Sequence, residues 1–231
     1  MEEKRITILT GHYGSGKTSL AVALALEKRA RGRAVTVADL DIVNPYFRTT
    51  DCRALLEGRG VKLIASPYAN SNVDLPALPK ELYLLAEDGS TDAVLDVGGD
   101  DRGAVALGRY VPAIAEKGDY EMLFVVNFFR PLTQTAETAM EVLEEITAAC
   151  GLRPTAIVNN SNLGRETMAA HVRSTLEKAE ALGKLSGLPI RFTAADRRLE
   201  PELGGKIDNL FWIEPQSMAA VKETEVGTWQ N

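Results

Sequence analysis

Cysteine is nearly missing from this chain of 231 residues: only Cys52 and Cys150 occur. They stand far apart, outside any CxxC or Cys/His cluster, so the sequence indicates neither a disulfide framework nor a zinc site. Two free thiols in a reducing compartment are the expected state. Basic charge is also in short supply. Lys and Arg total 26 against 32 Asp and Glu, a formal charge of −6 with a sequence pI of about 5.1. That balance argues against nucleic-acid and anionic-lipid partners, both of which call for clustered cations. No apolar run approaches the ~20 residues needed to cross a bilayer. Met1-Glu2-Glu3-Lys4-Arg5 runs straight into an apolar strand pattern, without the longer apolar stretch and cleavage site of a signal peptide. Repeats, low-complexity tracts and linkers are missing too. The chain is therefore read as one domain, 1–231, with 214–231 as a short helix and tail, cytoplasmic and without a membrane partner.

What the chain does contain is a rhythm. Short β-branched runs alternate with longer helical patterns, separated by Gly, Pro, Asn or Asp, which predicts βα units wound around a mainly parallel sheet. Strands are expected at 6–10, 34–38, 61–65, 93–97, 122–127, 155–159 and 188–193, with 209–213 as a further candidate. Helices are expected at 17–31, 48–59, 79–87, 104–117, 133–149 and 165–182. Most of the strands are apolar on both faces, as a sheet covered on two sides requires. The fold class is α/β, with about seven strands and helices on both faces.

The first strand runs into Gly11-His12-Tyr13-Gly14-Ser15-Gly16-Lys17-Thr18-Ser19. This fits GxxxxGK[ST], a pattern that a chain of this length contains by accident on the order of 1% of the time. Strand before and helix after are the context the mechanism needs. Glycines let the backbone N–H groups approach phosphate oxygens, and the helix dipole adds positive potential. Lys17 is placed to bridge β- and γ-phosphate oxygens, and the Thr18 hydroxyl to ligate Mg2+. The expected fold is accordingly that of a P-loop NTPase.

A phosphate loop needs a carboxylate near the metal and a group to position the attacking water. The second strand ends in Asp39-Leu40-Asp41 and the fourth in Asp96-Val97-Gly98-Gly99, both at strand C-termini, where open α/β sheets bind ligands. Asp96 is assigned to the outer magnesium shell, Asp39 to the magnesium waters, and Asp41 to the hydrolytic water as the catalytic partner of Lys17. Turn capping is the ordinary alternative for each.

With these residues in hand, the chain from Ile6 to about Phe192 resembles the MinD/ParA group of P-loop ATPases, in the SIMIBI class. The matches are Gly11, Gly14, Gly16, Lys17 and Thr18, the Asp39-x-Asp41 pair, and Asp96 with Gly98 or Gly99. The run Asp39 to Arg48 looks like the first switch of a small bacterial subgroup. His12 stands where the group carries a signature lysine that reaches the partner's phosphates across a dimer, and Tyr13 replaces the neighbouring glycine. An unperturbed imidazole titrates near pH ~6.5 and is mostly neutral at pH 7, so it gives no constant charge. His12 is either a loop residue or a weaker hydrogen-bonding group. Arg48 and Arg102, each beside an expected switch, are the candidates to replace the charge.

The sixth strand ends in Asn159-Asn160-Ser161-Asn162, where related folds recognise the base. The lysine and aspartate of a guanine-reading NKxD are both missing, and an Asn side chain can donate to and accept from adenine. The resemblance places Asn159 in that role, with 193–196 on the other side of the base, and ATP is the expected nucleotide. Phe128-Phe129-Arg130-Pro131 is read as a loop packed on the sheet end or a partner contact, and His171 as a surface residue. Three functions follow from the resemblance: a slow ATPase switching a client protein, as a monomer or a homodimer; a carboxylate-activating ligase; or a non-hydrolysing nucleotide sensor.

Overall fold

The computed structural model describes residues 4–41, 49–65, 81, 85, 89–99 and 101–214, and of 101, 102 and 106 the backbone only. Eight strands form one sheet: β1 Ile6–Thr10, β2 Val35–Leu40, β3 Lys62–Ala65, β4 Asp92–Val97, β5 Tyr120–Val126, β6 Ala156–Asn159, β7 Ile190–Asp196 and β8 Leu210–Ile213. Their order is β3-β2-β4-β1-β5-β6-β7-β8, and all pairs are parallel. The sheet has one strand more than the seven expected, because Leu210–Ile213 adds to its edge beside β7.

Side chains alternate across the sheet with a period of two, and each face buries its own core. On one face Leu9, Val37, Val94, Val125 and Val158 pack under the helix α1, Lys17–Ala30, and α2, Arg53–Gly58. On the other, Ile8, Leu40, Leu95, Phe124 and Ile157 pack under α3, Asp101–Gly108, α4, Val111–Lys117, α5, Ala136–Cys150, and α7, Leu176–Ser186. A smaller cluster under β7 and β8 gathers α6, Ala169–Arg173, and α8, Glu200–Leu203. The chain leaves β1 through α1 toward β2 on one side, and after β4 it crosses over to β5 on the other side of β1. The crevice at the strand C-termini beside β1 is the usual ligand position of such sheets.

Two expected helices are broken, each for a local reason. The predicted 104–117 stretch divides at Gly108, and Pro112 opens the second piece. The predicted 165–182 helix becomes a 3-10 turn at Gly164–Glu166, then α6, then α7. Hydroxyls turn back onto the backbone here: Ser174 Oγ donates to His171 O at 2.8 Å and Thr175 Oγ1 to Val172 O at 2.8 Å. Such bonds compete with a continuing helix. The predicted helix at 48–59 starts, within the described residues, as a 3-10 turn at Thr49–Cys52. The stretch 42–48, most of the expected helix 79–87 and the tail 215–231 lie outside the described residues.

Helix α1 runs antiparallel to β4 and carries a lysine at each end. At the far end, Lys28 Nζ lies 3.3 Å from Asp92 Oδ2, both nearly fully buried, and Arg33 closes on Asp92 Oδ1 at 2.6 Å. At the near end Lys17 faces the neighbourhood of Asp96. Residues 92 and 96 share a face of β4, so one helix sets both contacts.

Candidate functional site

Gly16 caps α1 in the left-handed region, at φ +87°, and a Cβ there would sit 2.4 Å from the Asn160 amide nitrogen. Only glycine allows both that dihedral and that approach. The helix it opens has no side-chain cap and no acidic residue in its first turn. By contrast, α5 closes its own N-terminus with a Thr135–Thr138 capping box. The first N–H groups of α1 are therefore left to an anion, and the helix dipole favours one there.

Lys17 lies over the loop, its Nζ donating to Gly11 O at 2.9 Å and to His12 O at 3.2 Å. Around it opens a cleft of about 560 Å³, lined by His12, Tyr13, Gly14, Gly16, Lys17, Thr18, Ser19, Asp41, Arg130, Pro131, Leu132 and Asn162. The sequence-predicted loop residues thus converge. Ser15 is buried beneath them, and among the described residues its Oγ has no hydrogen-bond partner. His12 Nδ1 pairs with Tyr13 O at 2.9 Å. A carbonyl only accepts, so that nitrogen carries a proton.

Asp96 is fully buried at the end of β4. Its Oδ2 accepts from Thr49 Oγ1 at 2.7 Å, while among the described residues Oδ1 has no hydrogen-bond partner. Burial holds its carboxyl above the ordinary carboxylate value; Thr49, Lys17 and Thr18 pull it down, and Asp41 adds to the rise. An unpaired carboxylate oxygen in the interior is costly unless something else satisfies it. Beside Thr18 it fits the outer shell of a hard cation whose other ligands are a hydroxyl, waters and phosphate. Among the described residues no three His, Cys, Asp or Glu side chains form a ready-made metal cage.

Asp39 is placed differently from Asp96. Its Oδ1 accepts from Asp41 N at 3.1 Å, and its Oδ2 from Thr50 N at 3.3 Å and Thr50 Oγ1 at 3.2 Å. These bonds tie the Asp41 backbone and the 3-10 turn at Thr49–Cys52 to the end of β2. On the other side Gly99 comes against the loop: a Cβ there would meet Tyr13 N at 2.5 Å and Lys17 Nζ at 2.9 Å.

Asn159 is not brought to the cleft. Its side chain is completely buried, accepting from Ser161 Oγ at 2.6 Å and donating to Thr175 Oγ1 at 3.1 Å. Successive strand residues point to opposite faces, and residue 159 points inward. The neighbouring Asn160 instead donates to Ser15 O of the phosphate loop at 2.7 Å, and Asn162 lines the cleft. Residues 193–196 are the end of β7 rather than a loop, and Ala194 to Asp196 line a small pocket of about 60 Å³ with Asn160 and Asn162. The carboxylate of Asp196 accepts from Arg198 N and Nε.

Three contributors escaped the sequence reading. Thr49 and Asn160 are polar residues whose signal was only adjacency to a site. Arg130, read as part of a packing loop, donates from Nε to Gly14 O at 2.9 Å. Its loop is braced by Asn127, which accepts from Phe129 N and Asn162 N and donates to Asn162 O. Arg48 lies outside the described residues, as does the Arg102 side chain. His171 accepts from Met168 N at 3.2 Å and meets Phe129 edge-on, a helix-start and packing role.

Comparison with known proteins bears on the fold. No protein-family profile matches the chain, and no curated protein matches its sequence. Solved structures do match. The cell division protein FtsY of Thermotoga maritima aligns with 96% of this chain and 69% of its own, with TM-score 0.55 and 19% identity. FtsY of Mycoplasma mycoides covers 99% and 69%, with 0.54 and 17%. The signal recognition particle 54 kDa protein of Aeropyrum pernix, in complex with GDP, covers 97% and 50%, with 0.51 and 18%. The chain thus spans between 50% and 69% of the length of these structures. The fold is that of a P-loop NTPase. The neighbours belong to the SIMIBI class, and at these identities the likeness is one of fold. Among the described residues no helix is long and apolar enough to cross a membrane.

Proposed function

We propose that the chain binds ATP with Mg2+ in the cleft around Lys17 and acts as a slow, nucleotide-controlled ATPase switch for a protein client. The observation that carries this reading is the pairing of an uncapped helix N-terminus with the orphaned Oδ1 of Asp96 beside Thr18. A phosphate would complete the first, and a hydrated cation the second. Lys17, the loop N–H groups and Ser19 would hold the phosphates; Thr18 and Asp96 would hold the metal, with Asp39 shaping the turn that presents Asp41. Bound magnesium would neutralise charge on the phosphate oxygens. Asp41, on the cleft wall, is suited to orient a water, and the Gly99 backbone, packed on the loop, to follow the terminal phosphate.

The base is assigned to the side walled by Asn160 and Asn162. The nearest carboxylate, Asp196, is committed to Arg198, which leaves no acid among these lining residues for the guanine N1–H. Adenine is favoured on that ground. A client is favoured by the rim: Tyr13, Leu132, Leu163 and Met168 are exposed large apolar side chains at or next to the two pockets. Exposed apolar side chains gathered at one site mark protein interfaces. A second copy of the chain is one such client.

The test is direct binding and phosphate release with ATP and GTP, with Mg2+ or chelator, and light scattering in parallel. ATP binding strengthened by Mg2+ and lost in Lys17→Ala supports the reading. Equal indifference to Lys17→Ala and to Mg2+ sinks it.

A further inference from the structure

We infer that Arg130 is the second phosphate-binding cation of this cleft, supplied by the chain itself from the loop after β5. The inference rests on the nucleotide reading above and assigns a residue that reading does not use. Among the side chains lining the cleft, Lys17 and Arg130 are the lysine and the arginine, while the His12 ring already spends Nδ1 on Tyr13 O. A polyphosphate brought to the loop meets one buried lysine, and beside it the Arg130 guanidinium, whose Nε lies 2.9 Å from the Gly14 carbonyl.

The geometry suits this use. The Nε bond to Gly14 O fixes the guanidinium against the loop, and among the described residues the terminal amino groups have no protein acceptor and no carboxylate partner. The side chain is exposed, but its backbone is held. Arg130 N donates to Asn127 O at 3.0 Å, Thr133 N to Arg130 O at 3.0 Å, and Thr133 Oγ1 to Asn127 O at 2.7 Å. Pro131 follows and fixes the next φ. A planar, delocalised cation on a rigid support, with donors to spare, is the form in which Arg recognises phosphate. Bracing the loop is the competing role. A single exposed hydrogen bond to a carbonyl gives little net stability once the ordering entropy of a long side chain is counted.

Substitution separates the two roles. In Arg130→Gln the Nε2 atom stands as many bonds from Cα as the arginine Nε, so the donor to Gly14 O can be kept while the charge is lost. The full chain and its Arg130→Ala, Arg130→Gln, Arg130→Lys and Lys17→Ala variants would be titrated with a fluorescent ATP analogue and Mg2+ over a series of KCl concentrations. Nucleotide-free thermal melts would check each fold. The expected result is a loss of affinity of about tenfold or more in both Ala and Gln, a shallower salt dependence in both, and recovery in Lys. Gln binding like the unmodified chain would overturn the inference and leave a brace. So would unchanged affinity in Ala and Gln while Lys17→Ala abolishes binding. Indifference to Lys17→Ala as well would instead bring down the nucleotide reading.

Discussion

Thr49 Oγ1 donates a 2.7 Å hydrogen bond to Asp96 Oδ2, tying the turn that follows β2 to the end of β4. Its neighbour Thr50 does the same for Asp39 through both N and Oγ1. Two consecutive threonines thus connect the acidic ends of two adjacent strands. On the proposed function, a cation drawn to Asp96 would act on the same carboxylate that accepts from Thr49, giving the site a mechanical output.

Thr49→Val is expected to strip the buried Asp96 of its Thr49 hydrogen bond and to destabilise the nucleotide-free protein by about 1–3 kcal/mol. Saturating ATP and Mg2+ should shrink that difference, because in the proposed function a bound cation would satisfy the carboxylate. Urea denaturation with and without ligand reads both numbers. An equal difference in the two conditions would remove Asp96 from the metal site.

Asp96→Asn should behave oppositely in the two states. The folded pKa of Asp96 is raised by burial, so the fold disfavours its charged form. Stability is accordingly lost as pH rises from the ordinary carboxylate value through the raised one, not gained. The Asn variant is therefore expected to be more stable than the parent at pH 7 without nucleotide, with the gap closing toward pH ~4. Its Mg2+-dependent gain in ATP affinity should be largely gone. Thermal melts across pH, together with nucleotide titration, check both halves.

Gly99→Ala places a methyl group against Tyr13 N and Lys17 Nζ. The backbone atom cannot yield as a flexible side chain could, so the phosphate loop must shift. Nucleotide affinity should fall by about tenfold or more, while the urea midpoint of the nucleotide-free protein moves little. Unaltered affinity would mean that this segment is displaced from the loop in solution.

Cys52 reports on the turn itself. Its thiol is buried and pushed up to about 11, by burial first and then by the charges of Asp51 and Asp96. At pH 7–8 it should resist alkylation far longer than a free thiol. Labelling is expected to accelerate in Thr49→Val and slow again with ATP and Mg2+. A rate that ignores both would uncouple the 3-10 turn from the site.

The sheet and the loop were legible because each rests on local chemistry. β-branched runs bounded by glycine announce buried parallel strands, and Gly11 to Thr18 carries its own spacing. What stayed hidden depends on register. Asn159 and Asn160 are interchangeable in composition, yet the strand alternation sends one into the core and the other to the phosphate loop. Arg130 offered no signal beyond an exposed cation near a strand end; its meaning comes from a strand neighbour, β5 beside β1, that is set by topology. The break in the 165–182 helix was equally invisible, since Ser174 and Thr175 are tolerated in helices until their hydroxyls find carbonyls.

Helix α1 and strand β4 divide the molecule's obligations between their two ends. At Asp92 the carboxylate is fully matched by Lys28 and Arg33, and removing it should cost about 3–5 kcal/mol of folding free energy. Four residues along the same strand, Asp96 is left incomplete. One pair of elements therefore separates durability from adaptability. Sequence drift around Asp96, Gly99 and Arg130 can retune what the protein responds to, while the anchor at Asp92 keeps the scaffold insured against the experiment.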